Sequence, residues 1–78
     1  MEEIKFVVTC NRQIKGVILG CITKEQAFSK FLEGKGIYRG NVKNIFYNEY
    51  EPYFIGFEYE NEFYSLDGFY FDIFINFK

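Results

Sequence analysis

The sequence predicts an α+β fold: a single antiparallel twisted sheet with one helix packed on it, in the order β-β-α-β-β-β-β. Three observations carry this. Apolar and polar positions alternate with period two through several short segments rich in Phe, Tyr, Ile and Val, as half-buried strands require. Only one segment, Thr23 to Leu32, has helical spacing with a start signal. Aromatic residues make up 23% of the 78 positions, enough large side chains to give so short a chain a core. Residues 1–78 are therefore read as one domain, its sheet either open or curled towards a half-barrel.

In chain order, Ile4-Lys5-Phe6-Val7-Val8-Thr9-Cys10 reads as a first strand with Ile4, Phe6, Val8 and Cys10 inward. Asn11-Arg12-Gln13 has turn character, and Gly16 to Ile22 reads as the second strand of an antiparallel hairpin. Its glycines mark a bulge or a close backbone approach. Thr23 is placed to cap the helix and Gln26 to complete a capping box, with Ile22 and Ala27 as a hydrophobic staple. Ala27, Phe28, Phe31 and Leu32 form the buried stripe; Lys24, Glu25, Ser29, Lys30 and Glu33 face water. Gly34 is expected to end the helix in the left-handed conformation.

Beyond the helix, Val42 to Tyr50 reads as a strand of uncertain register, and Pro52 separates it from the next, Tyr53 to Glu60. Asn61 suits a tight turn before the short strand Phe63 to Leu66. Asp67-Gly68 is a hairpin signal, after which Phe69 to Phe77 alternates clearly. Its parity sends Phe69, Phe71, Ile73, Ile75 and Phe77 towards the helix and Tyr70 and Phe74 to the opposite face.

The formal charge of -2 argues against direct nucleic-acid binding, which needs a basic face. No long apolar run is present, so no membrane association is expected, and the acidic opening Met1-Glu2-Glu3 lacks the basic start of a secretory signal. A cytoplasmic protein is the expectation. Abundant Phe, Tyr, Ile, Asn and Lys, encoded by AT-rich codons, point towards a bacterial, phage or mobile-element genome. Cys10 and Cys21 are expected to be reduced core thiols, because two cysteines without a histidine make no zinc site. The lack of histidine also removes the usual base of nucleophilic catalysis. The protein is expected to be non-enzymatic, with no cofactor, no metal and no catalytic residue.

Gly36-Ile37-Tyr38 and Tyr53-Phe54-Ile55-Gly56 resemble, superficially, the paired motifs of the GIY-YIG nucleases. Phe54 interrupts the second motif, and no arginine follows Arg39 to serve as that family's helical arginine. No nuclease role is carried over.

Two functional expectations remain. The first is a small interaction or inhibitor protein, of phage or mobile-element type, that blocks a host defence protein by surface binding. Its partner is a host protein or a second copy, with a homo-oligomer expected. The surface comprises Phe54, Tyr70 and Phe74, with Glu58 and Glu60 from the acidic stretch 49–62. The alternative is a protein that binds or sequesters a nucleotide signal, using Arg12, Lys15, Arg39 and Lys43 for phosphate and Tyr38 and Tyr47 for the base.

Overall fold

The computed structural model of the protein describes residues 4–70, so the expectations for Phe71 to Phe77, Phe74 among them, lie outside the described residues. The elements are β1 (Ile4–Cys10), β2 (Gln13–Cys21), α1 (Lys24–Lys35), a 3-10 turn (Arg39–Asn41), β3 (Lys43–Tyr47), β4 (Phe54–Tyr59) and β5 (Glu62–Tyr70). The strands form one five-stranded sheet in the spatial order β2-β1-β5-β4-β3, every neighbouring pair antiparallel. The α+β class with one helix and one antiparallel sheet is as the sequence predicts. Among the described residues the sheet is open, with β2 and β3 as its edges.

Local chemistry explains the turns. Asn11 and Arg12 both have positive φ (53° and 66°), as do Glu60 and Asn61 (52° and 65°). Paired left-handed residues in a two-residue loop match the right-handed twist of the strands they join. Gly20, at φ 82°, sits where β2 shifts register against Ile4 and Phe6 of β1, the bulge expected of that glycine. At the helix start, the Thr23 side chain accepts from the Gln26 N–H while the Gln26 side chain accepts from the Thr23 N–H. The capping box is complete, but the staple is not made, because Ile22 is exposed.

The core lies between α1 and one face of the sheet. Phe6 and Val8 of β1, Ile55 and Phe57 of β4 and Leu66 of β5 meet Ala27, Phe28, Phe31 and Leu32 of the helix, all buried. The Phe28 and Phe57 rings lie 5.0 Å apart, and Phe57 stacks on Tyr64 at 5.1 Å with the planes 5° apart. Full burial of each such side chain contributes about 2–3 kcal/mol of transfer free energy. Both cysteines are buried and free. They lie at opposite ends of the hairpin, Cys10 across from Gln13 and Cys21 across from Ile4.

Four further sequence expectations are corrected. The helix passes through Gly34 and ends at Lys35; Gly36, at φ 70°, is the left-handed terminator and donates to the carbonyls of Glu33 and Leu32. Lys24 does not face water: it is 4% exposed, drawn inward by acceptors in the 48–51 loop. Asp67-Gly68 is not a turn. β5 runs straight through both, paired with Phe6 and Val7 of β1. A Cβ at Gly68 would lie 2.7 Å from the Phe6 ring, so this glycine admits a core ring and does not reverse the chain. Without a turn, the parity that buries Leu66 continues to the strand end. Phe69 therefore points away from the helix and is exposed, against the inward position expected of it.

Candidate docking face

The helix covers one side of the sheet, and among the described residues nothing covers the other. Because side chains alternate across a strand, the open side is defined by the parity opposite to Phe6, Ile55, Phe57 and Leu66. On β4 it carries Phe54, Gly56 and Glu58; on β5, Phe63, Ser65, Asp67 and Phe69. On β1 it carries Lys5, Val7 and Thr9, with Val17 of β2 beside Val7 and Ile14 beside Thr9. Phe46 of β3 lies opposite Gly56.

These positions form an apolar surface. Ile14 is 68% exposed, Val17 51%, Phe46 48%, Phe63 54% and Phe69 47%. Its aromatic part is organised around Gly56. A Cβ there would lie 2.7 Å from Phe63 Cζ and 3.5 Å from Phe54 Cζ, so the missing side chain is the seat of both rings. Phe46 meets Phe54 edge-on with centroids 5.9 Å apart. The rings are therefore held in place while one side of each remains open.

Charges of both signs border this surface. Lys43 pairs with Glu58 across β3 and β4, and Asn44 donates to Glu58 Oε1 at 2.6 Å. Asp67 lies between Val7 and Phe54, and burial, with the nearby Glu51 charge, pushes its carboxyl above the ordinary aspartate value.

Of the residues expected at an interface, Phe54 and Glu58 belong to this face, while Glu60 lies in the β4–β5 turn. Tyr70 ends β5 opposite Ile4, in the register of Leu66 and Gly68, and Phe74 lies outside the described residues. Phe46, Phe63, Phe69, Val17 and Ile14 are additions that sequence reasoning did not single out. The available signal was the parity of Phe63 and Phe69 if β5 is read without a turn at Asp67-Gly68.

The residues of the expected nucleotide site do not converge. Arg12 is in the β1–β2 turn, and Arg39 lies over the Phe28 ring at 4.9 Å. Tyr38 packs against Gly40 and is otherwise exposed. Lys43 lines a polar hollow with Glu58 and Glu60. Tyr47 receives the Lys24 ammonium on its ring, and Lys15 sits near the far end of α1. Cys10 is not poised as a reactive thiol: burial, reinforced by its hydrogen bond and charge contact with Glu62, pushes it above the usual thiol value. Among the described residues, no helix is long and apolar enough to cross a membrane. Comparison with protein-family models, with curated proteins and with solved structures finds no match.

Proposed function

We propose that the protein is a small non-enzymatic interaction protein whose working surface is the open face of its sheet, and that a second copy of the chain covers that face. The observation that carries this is the aromatic group Phe46, Phe54 and Phe63 fixed around Gly56 on a side the helix does not reach. Apolar patches beyond a few hundred Å² mark contact sites on soluble proteins. Five strands about 4.8 Å apart, with lengths of five to nine residues, give the whole face, charged and polar residues included, roughly 600 Å². That approaches the roughly 800 Å² per partner of a standard interface.

Charge favours self-association over a strongly charged partner. Lys5 and Lys43 on this face balance Glu58 and Asp67, so a two-fold stack of two such faces can set unlike charges opposite one another. Sheets packed in this way lie about 10 Å apart with their side chains interdigitated.

Sedimentation or light scattering tests the reading. The 9.4 kDa chain is expected at twice its mass, and Phe63→Glu is expected to return it to the monomer with its circular dichroism unchanged. A wild-type monomer at about 100 μM, a concentration that would populate a dimer of micromolar Kd, overturns the second copy as occupant. So does a dimer indifferent to Phe63→Glu and Val17→Glu. A monomer whose stoichiometric complex with one purified protein is abolished by Phe63→Glu would transfer the face to a heterologous partner. A monomer that dimerises only after deletion of residues 71–78 would assign the cover to that segment.

A further inference from the structure

We propose that the cleft between the C-terminal half of α1 and β2, on the helix side of the sheet, binds a small phosphate-bearing ligand with a flat ring, a mononucleotide by class. Two adjoining cavities form it. The first, of about 220 Å³, is lined by Phe31, Ile37, Tyr59 and Tyr64 together with Lys15 and Lys35. The second, of about 230 Å³, shares Lys15, Phe31 and Lys35 and adds Lys30, Gly16 and Gly34. Each alone is smaller than a typical small-ligand site, so a mononucleotide would span both across their shared residues Lys15, Phe31 and Lys35.

Among the described residues no acidic side chain lines either cavity, although the chain as a whole carries a net charge of -2. Lys15 and Lys35 thus line both cavities, and Lys30 adds a third ammonium to the second, in an acidic protein. Ammonium groups hold phosphate as point charges, and the Lys35 Nζ already stands 5.9 Å from the centre of the Phe31 ring. Two carboxylates, Glu62 and Glu60, lie within electrostatic reach of Tyr64, and Glu62 is engaged with Cys10 Sγ and Asn11 Nδ2. The wall is rigid: Tyr64 is stacked on Phe57, and Phe31 is seated against Gly16, where a Cβ would come within 3.0 Å of its ring. A flat ring entering the cleft meets ordered aromatic and aliphatic surface beside the phosphate-holding groups.

Gly34 is the independent observation. It is helical, its φ is not positive, and a Cβ on it would meet nothing within 4 Å. Neither packing nor backbone geometry demands glycine there, and glycine weakens a helix relative to alanine. What its absent side chain leaves is open space on the wall of the cleft.

An NMR titration of the full chain with adenosine monophosphate, adenosine and inorganic phosphate tests the site. Adenosine monophosphate is expected to shift the amides of Lys15, Gly16, Gly34 and Lys35, with a Kd on the order of 0.1 mM, and adenosine to bind at least about tenfold more weakly. Lys15→Ala and Lys35→Ala are each expected to weaken binding about tenfold. Gly34→Leu should abolish it while the melting temperature stays the same or rises. Absence of shifts at the cleft up to about 10 mM nucleotide, or undiminished binding to Gly34→Leu, overturns the site. Inorganic phosphate binding as tightly as the nucleotide overturns the assignment of the ring.

Discussion

The Lys24 ammonium lies 4.2 Å from the centre of the Tyr47 ring and donates to the carbonyls of Asn48 and Glu51, each at 2.9 Å. A cation near a helix N-terminus opposes the helix dipole, so its place must be held by other contacts. Two carbonyl acceptors and an aromatic face supply them, and they tie the first turn of α1 to the loop that joins β3 to β4. The helix is thereby anchored to the far edge of the sheet, which keeps it on one side and leaves the other open.

Lys24→Met keeps the apolar stem and removes the donors. It is expected to cost about 2–3 kcal/mol, since the partners of a buried charged donor are left unsatisfied. Hydrogen exchange should quicken at Glu51 and Phe54, whose amides close the turns of this loop. Unchanged stability in denaturant melts would show that the tether is dispensable.

Phe31 is 4% exposed and touches the Phe57 and Tyr64 rings. Phe31→Ala is expected to destabilise the fold by about 3–5 kcal/mol, the cost of lost burial plus an incompletely collapsed cavity. Retention of the wild-type melting temperature would show that the helix stripe does not hold the core.

Two glycines should respond in opposite directions. At Gly68 a new Cβ meets Phe6 Cε1 at 2.7 Å and Tyr53 Cβ at 3.0 Å, so Gly68→Ala should cost about 1–3 kcal/mol by overpacking. At Gly34 the space is empty and the backbone helical, so Gly34→Ala should add up to about 1 kcal/mol. Chemical denaturation of the two variants side by side reads both signs, and a neutral Gly68→Ala would contradict the strand through Asp67-Gly68.

Asp67 gives a pH dependence with a definite sign. Its folded-state value is raised above 3.8 by burial and by Glu51, so the native state holds the proton longer than the unfolded chain. Its contribution is present below 3.8 and is lost as the pH rises through the raised folded value. Asp67→Asn should therefore raise the melting temperature at neutral pH and change it little at about pH 3, below both values. An equal gain at both pH values would place the effect elsewhere than in ionisation.

The local devices were legible in the sequence because each depends on residues a few positions apart. The capping box needs only Thr23 and Gln26, and each two-residue turn carries an asparagine, Asn11 or Asn61, which tolerates positive φ. The inward parity of β1 and β4 follows from period-two alternation, and the helix stripe from its own spacing. What sequence reasoning missed depends on contacts distant along the chain. Asp67-Gly68 has turn chemistry, but Phe6 occupies the space beside Gly68 and β1 pairs across both residues, so the ladder outweighs the local preference. Lys24 belongs by periodicity to the wet face, yet two carbonyls more than twenty residues away bring it inside. The docking face and the lysine-rimmed cleft are likewise products of tertiary structure. Phe46, Phe54 and Phe63 come together only because β3, β4 and β5 are neighbours, and Lys15 meets Lys35 only because α1 crosses back over β2. Alternation and capping are short-range physics written into adjacent residues; which faces meet, and which remain uncovered, was settled by strand order and by where one helix found its apolar partners.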